Sequence, residues 1–422
     1  MPTKLSSSDL LAQLERTQRS ALQIRNLSDG ARQALLRDLA TATRAAVFPV
    51  LDANRADVAA MDPADPKRDR LLLNEARIEA LATSILDVAA LPDPTGRIWA
   101  EHRLDNGLHI QKISVPLGVV GVIYESRPNV TLDVGALCLR SGNAAVLRGG
   151  SDAWQTNRVL VALMQDVLAQ HGLDRDIVAL LPPDRELAHA LLQANRFVDV
   201  LIPRGSEGLI RFVRENARIP VIETGAGVCH TYVHALADLE KARAIVVNAK
   251  VSRPAVCNAL DTVLVDSAVA SRFLPLLCPE FQQWKVAVYA DAESYAVLQA
   301  AGYERLFPAT EEDFGREFLD YACSVGVVSG LEDALEHIRR YSSRHSEAIV
   351  SEDRAVCRRF LNEVDAAAVY SNASTRFTDG GSFGLGAEIG ISTQKLHARG
   401  PFALEKLVTE KWVGEGSGQT RP

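Results

Sequence analysis

The 422-residue chain has no uninterrupted apolar run near the ~18 residues that a membrane span requires, so no transmembrane helix is expected. Its longest apolar runs, around Val115–Tyr124 and Ala244–Val247, are of strand length. Met1–Leu10 lacks the apolar core of a secretory signal. Cysteine is scarce. Cys138, Cys229, Cys257, Cys278, Cys323 and Cys357 are scattered, with no C-x-x-C pair and no cysteine–histidine cluster at zinc spacing. Neither a bound metal nor a disulfide framework is expected, and reduced thiols in a cytoplasmic protein are the better expectation. Most of the six should be small buried hydrophobes. The net charge of −7 argues against a general nucleic-acid or anionic-membrane surface. Also missing is the G-x-G-x-x-G fingerprint: Gly225-Ala-Gly227 lacks the third glycine and lies between short strands. There is no internal repeat, and Gly414-Glu-Gly-Ser-Gly418 is the one low-complexity stretch.

What is present is enough apolar sequence for two cores. Length predicts two domains, and 47% hydrophobic with 23% charged residues is ordinary globular composition. The first 90 residues are expected to be helical. Leu10, Leu11, Leu14, Ala21 and Ile24 recur at helical spacing after the cap candidates Ser6–Ser8, and Leu35, Leu36 and Leu39 begin a second face. Met61–Arg70 is a polar, proline-interrupted connection, and Leu104–Val115 alternates as a strand does. Strands and helices then alternate. Strands are expected at Gly118–Tyr124, Ala144–Arg148, Ile177–Leu181, Val198–Ile202, Val221–Ile222 and Thr231–Val233, with helices between them. More follow at Thr262–Val265, Val286–Tyr289, Val325–Val328 and Glu347–Ser351, with a domain change near residue 245. This order predicts an α/β fold built on mostly parallel, doubly wound sheet.

Three segments could carry chemistry. Gly142–Ser151 is a strand ending in Arg148 and two glycines, which suits a backbone approaching a phosphate. Arg204-Gly-Ser-Glu-Gly208 is a glycine turn opening a helix whose first amides favour anions. In Lys250–Val265 a cysteine, Cys257, lies between a proline-marked loop and an apolar strand, with Lys250 and Arg253 near enough in sequence to lower a thiol pKa. Plain strand–helix turns and a buried structural thiol explain the same residues, and for a lone cysteine burial is the commoner outcome.

Longer strings resemble a known family. They are Val115–Val130, which contains Glu125-Ser-Arg-Pro-Asn129, then Arg140–Gly150, Ile202–Ser206, the Cys257 segment, Asn372–Gly380 and Gly384–Pro401. Together they resemble the aldehyde dehydrogenase superfamily, over nearly the whole chain from about residue 8 to Gly414. The Ser-Arg-Pro-Asn and Ile-Ser-Thr-Gln-Lys-Leu-His-Ala-Arg-Gly-Pro strings are specific to a branch that reduces an acyl phosphate. The resemblance implies a Rossmann-type cofactor domain from residues 1–102 and 116–244 and an α/β catalytic domain from 245–399. It also implies a β oligomerisation arm from 103–115 and 400–422, and hence a homodimer or tetramer. The activity implied is NADPH-dependent reduction of L-glutamate 5-phosphate to L-glutamate 5-semialdehyde with release of phosphate, in proline biosynthesis. Association with the glutamate 5-kinase that makes the acyl phosphate is a further implied partnership.

The same resemblance implies site residues. Cys257 falls at the catalytic cysteine and would form a thioester. Arg148 sits where relatives hold the cofactor ribose. Ser151 replaces the glutamate of NAD-preferring relatives, which favours NADPH. Gly205 and Ser206 belong to the second glycine turn, and Glu317 to the nicotinamide-ribose position. Glu125 occupies the place of the usual oxyanion asparagine, so Asn129 and the Cys257 amide become the candidates for that role. Glu223 lies near the place of a water-activating base, which an acyl-phosphate reductase does not need, so a structural role is expected. Arg127, Lys395, His397 and Arg399 lie in the branch-specific strings and could meet the substrate's anions, with salt bridging as the alternative. His345 is a weaker candidate.

Overall fold

The computed structural model describes residues 6–62, 68–125, 127–385 and 387–421. Residues 63–67 of the Met61–Arg70 connection, Ser126 and Gly386 lie outside the described residues. The chain divides into two compact units. One comprises Met1–Thr224, Gly384–Gly390 and Phe402–Pro422, and the other Gly225–Phe383 and Ile391–Pro401. The division falls between Thr224 and Gly225, ahead of the boundary expected near residue 245.

In the first unit, helix Ser7–Arg25 opens with a capping box: the Ser6 side chain accepts from the Asp9 amide, and the Ser6 amide donates to the Asp9 carboxylate. Leu10, Leu14 and Ile24 are fully buried, but Leu11 is 45% exposed. One residue further on is ~100° around a helix, so Leu11 leaves the buried face. Helices Asp29–Ala45, Val47–Ala59 and Glu75–Ala90 follow. Strands β1 (Ile98–Arg103) and β2 (His109–Pro116) form an antiparallel hairpin, and strand Val408–Glu415 pairs with the far edge of β2. The single strand expected over Leu104–Val115 is thus half turn. Gly107 takes φ +84, which reverses the chain and places the first strand earlier.

Strands β3 (Val119–Tyr124), β4 (Ala144–Arg148), β5 (Val178–Leu180) and β6 (Val200–Arg204) form a parallel sheet in the order β5-β4-β3-β6. All of β3, and all of β4 except Arg148, is buried, as continuous apolar runs in a parallel sheet should be. The strand expected at Val221–Ile222 is only an isolated bridge from Val221 to Leu201. Pro220 has no amide hydrogen, so that pairing cannot extend backwards.

The second unit is built on strands β7 (Cys229–Val233), β8 (Leu260–Asp266), β9 (Ala287–Ala290), β10 (Leu306–Pro308), β11 (Ala322–Val328), β12 (Ser346–Val350) and β13 (Ala368–Ser371). They form one parallel sheet, ordered β10-β9-β11-β8-β7-β12-β13. Strand alternation sets the two faces. Val263 and Val265 join a core with Val246 and Phe273, whereas Leu264 joins Ile338 and Phe360 on the other side. The edge strands β10 and β13 are short and partly exposed, which is why no apolar pattern announced them. Among the described residues no helix is long and apolar enough to cross a membrane.

Candidate active site

At the amino edge of the second unit's sheet, the chain leading into β8 turns at Cys257, and the chain leading into β7 runs through Gly227 to Cys229. These two segments pack backbone to backbone. A Cβ built on Gly227 would lie 1.5 Å from the Cys257 carbonyl oxygen, so only glycine fits. The Cys229 thiol donates to that same carbonyl at 3.3 Å. Asn258 ties the turn to the following chain: its side-chain amide donates to Thr378 O at 2.8 Å, and Thr375 Oγ1 donates to its carbonyl at 2.8 Å.

The six thiols separate by exposure. Cys257 is partly exposed, whereas the other five are buried, and none is in a disulfide. Burial pushes Cys138 and Cys323 up to about 12, and raises Cys229, Cys278 and Cys357 as well. Those five stay protonated and unreactive near neutrality. Lys250 does not face Cys257. Its fully buried ammonium donates to Ala322 O at 2.7 Å and stands 3.8 Å from Asp261. A cation brought into electrostatic range of Cys257 is Arg376, which also interacts with Arg253. Arg376 hydrogen-bonds Asn258 Oδ1, and its Nε donates to Ser252 Oγ at 3.3 Å. Burial above all, with Arg253 adding to it, lowers the Arg376 pKa. Sequence reasoning missed Arg376, although it lies in the Asn372–Gly380 string; only tertiary contact through Asn258 marks it.

Glu317 joins the same cluster, its Oε1 accepting from the Gly227 amide at 2.8 Å. Asp261, also missed, accepts from Cys229 N at 3.4 Å and Phe318 N at 3.1 Å. His345 is fully buried beside Cys229, with Nδ1 2.8 Å from Ser346 Oγ and 3.8 Å from Cys229 Sγ. Burial pushes His345 down to about 4, so it is neutral at pH 7.

In the first unit the carboxyl ends of three neighbouring parallel strands converge, the usual ligand edge of such sheets. β3 leads to Glu125, β4 to Arg148 and Ser151, and β6 to Gly205 and Ser206. Arg148 donates to the Pro183 and Asp184 carbonyls at 3.2 and 3.5 Å, and its buried Nε has no partner among the described residues. Gly149 lies against Asn157 and Tyr124, where a Cβ would come within 2.2 Å of Asn157 Nδ2. A guanidinium with an orphaned N–H beside a two-glycine turn and the exposed Ser151 fits a phosphate-bearing cofactor. The β6 turn is already occupied: the Glu125 carboxylate accepts from Ser206 N at 2.9 Å and from Ser206 Oγ at 3.3 Å. A phosphate there would meet this carboxylate.

Of the remaining candidates, Arg127, Asn129 and Glu223 belong to the first unit and Lys395, His397 and Arg399 to the second. Asn129 Nδ2 donates to Asp133 within its own helix at 3.1 Å. Glu223 pairs with Arg214 at 3.5 Å. Arg127 caps helix Pro128–Arg140 from an extended φ of −143. Lys395 and Arg399 both pair with Asp365 at 2.7 Å, and hold its carboxyl down to about 2. His397 is exposed. No cluster of metal-ligating side chains occurs among the described residues.

Known proteins share this architecture. The aldehyde dehydrogenase family profile matches residues 75–305. Gamma-glutamyl phosphate reductase of Chlorobaculum parvum is 52% identical, covering 98% of each chain. The Bacteroides thetaiotaomicron protein of that name is 51% identical, over 96% of this chain and 97% of its own. The crystal structure of gamma-glutamyl phosphate reductase from Thermotoga maritima superposes with a TM-score of 0.93 at 39% identity, covering 98% of this chain and all of the other. The chain belongs to the gamma-glutamyl phosphate reductases, within the aldehyde dehydrogenase family.

Proposed function

We propose that the protein reduces L-glutamate 5-phosphate to L-glutamate 5-semialdehyde, releasing phosphate, as a step of proline biosynthesis. The observation that carries this reading is Cys257, the one partly exposed thiol of six, held in the turn that leads into β8 with Arg376 in electrostatic range. The Cys257 thiolate attacks the acyl carbon. A carbon–sulfur bond forms, the bond to the phosphate oxygen breaks, and phosphate leaves with the electron pair, giving a thioester. When bound, the reduced nicotinamide would supply a hydride to the thioester carbon, leaving the oxyanion of a thiohemiacetal. Collapse of the thiohemiacetal expels the thiolate and frees the aldehyde. The nearby guanidinium of Arg376 favours the thiolate at both ends of the cycle. A deacylating water would destroy the thioester, and the pairing of Glu223 with Arg214 is in keeping with a site that activates none.

A nicotinamide cofactor follows from the family, and we assign NADPH. Arg148 and Ser151 would take the 2′-phosphate side, Gly205 and Ser206 the diphosphate once Glu125 has turned away, and Glu317 the nicotinamide ribose. Arg127 and His397, with Lys395 and Arg399 from their shared Asp365, are our candidates for the substrate's anionic groups, and Asn129 with the Cys257 amide for the oxyanion. A homodimer or tetramer is supported by the hairpin sheet, which leaves Ile98, Trp99 and Trp412 54%, 59% and 57% exposed. Association with the kinase that makes the acyl phosphate, and a cytoplasmic location, complete the proposal.

The test runs the reaction in reverse, from semialdehyde, NADP and phosphate, following absorbance of the reduced cofactor. Sustained NADPH formation should require phosphate. Turnover independent of phosphate would mean an ordinary aldehyde dehydrogenase oxidising the free aldehyde and would overturn the reading.

A further inference from the structure

Beneath the Cys257 turn lies a buried ion pair that the chemistry above does not use. Lys250, near the end of helix Leu239–Val251, has a side chain with no exposure, and Asp261, the second residue of β8, is 3% exposed. Asp261 Oδ1 stands 3.8 Å from Lys250 Nζ and accepts from Phe318 N at 3.1 Å, while Oδ2 accepts from Cys229 N at 3.4 Å. One carboxylate therefore joins the helix, β8, the start of β7 and the segment that carries Glu317. Two of these connections lead on to the backbone of the Cys257 turn. Cys229 donates to the Cys257 carbonyl, and Glu317, next to Phe318, accepts from Gly227, whose backbone packs on that carbonyl. Two buried charges stabilise a fold poorly compared with an apolar pair of the same volume. Their place beneath the nucleophile calls for another role.

We propose that Asp261 is a positioning residue: its ionised carboxylate, balanced by Lys250, holds Cys229 and Phe318 and thereby fixes the Cys257 turn and Glu317 in one arrangement. The inference rests on the function proposed above. An ionised carboxylate accepts from both amides and the ammonium, whereas protonation turns one oxygen into a donor and loosens the cluster. The groups facing Asp261 are Lys250, Glu317 and the thiols of Cys229 and Cys323. Burial raises Asp261 to about 7, with Glu317 pushing the same way and Lys250 opposing. Both thiols are raised by burial, so they stay neutral there.

The experiment compares the native enzyme with Asp261→Asn. The first readout is the rate of Cys257 alkylation by iodoacetamide between pH 6 and 9, followed by peptide mass. The second is kcat and KM in the reverse reaction with semialdehyde, NADP and phosphate. The native alkylation profile should carry an inflection near pH 7 besides that of the thiol itself, and Asp261→Asn should lose it. In the variant kcat should fall ~10-fold and the KM for NADP should rise through Glu317, with the semialdehyde KM changed by less than ~2-fold. If the buried Lys250 charge prevents folding, Lys250→Met/Asp261→Asn removes both charges and gives the same readouts. A folded variant with the native alkylation profile, kcat and NADP KM overturns the proposal. A native enzyme without phosphate-dependent NADPH formation overturns the functional reading instead, while the alkylation profile still decides the positioning role.

Discussion

Gly227 and Cys257 touch through their backbones, and a Cβ on Gly227 would lie 1.5 Å from the carbonyl oxygen of Cys257 and 2.9 Å from its Cα. No side-chain rearrangement relieves a clash between two backbones. Gly227→Ala should therefore displace the Cys257 turn and lower kcat/KM by at least ~100-fold, the scale of a misplaced reacting group. Steady-state kinetics on a variant whose circular dichroism matches the native protein would check this.

Glu125 sits on the two donors of Ser206 that a cofactor phosphate would use. Neutralising it removes the charge repulsion and leaves a side chain of the same size. Glu125→Gln should bind NADPH several-fold more tightly, by fluorescence titration, with the gain shrinking as salt rises. Unchanged affinity would place the cofactor phosphates elsewhere.

Ser151 is exposed beside the two-glycine turn after Arg148. A carboxylate there would repel a 2′-phosphate and could accept from ribose hydroxyls. Ser151→Glu should shift the kcat/KM ratio from NADPH towards NADH by at least ~10-fold. The ratio for the two cofactors, measured side by side, decides it.

Stability should fall in acid. Burial pushes His345 down to about 4 and His337 to about 3, from an ordinary 6.5. A lowered histidine pKa means the unfolded chain binds the proton first. The contribution of each histidine is full above pH 6.5 and is lost as pH falls through its folded value. Asp261, raised to about 7, has the opposite sign: its contribution is full in acid and is lost as pH rises through 7. His337 packs among Phe314, Tyr341 and His230. His337→Phe keeps that packing without the titration, so urea midpoints measured from pH 7 to 4.5 should decline less steeply than in the native protein.

Much of the fold was legible because the strands that matter are buried on both faces. β3 and β4 read as apolar runs and β8 carries the apolar stretch Val263–Val265, and all three fall where the sequence puts them. The hairpin was misread because the alternation of Leu108 and Ile110 was run back to Leu104 across Asp105-Asn106-Gly107, where the chain turns. Of the site, Cys257 was a candidate from its loop position that the resemblance raised above the other thiols, Glu317 came from the resemblance, and the structure brings both to Gly227. Lys250 was matched to Cys257 by closeness in sequence, but a helix end directs its ammonium to Ala322 and Asp261 instead. Arg376 reaches the Cys257 turn from a distant segment through Asn258, and Asp261, though close to Cys257 in sequence, acts through the distant Cys229; no local pattern records such contacts.

In the proposed mechanism Cys257 carries the acyl group between phosphate and hydride transfer. The direct measurement mixes enzyme with semialdehyde and NADP, without phosphate, and follows NADPH and the mass of the Cys257 peptide. The expected result is a burst of about one NADPH per active site, a glutamyl adduct on Cys257, and release of that adduct when phosphate is added. A burst that persists in Cys257→Ala, or an adduct on another residue, would contradict the mechanism.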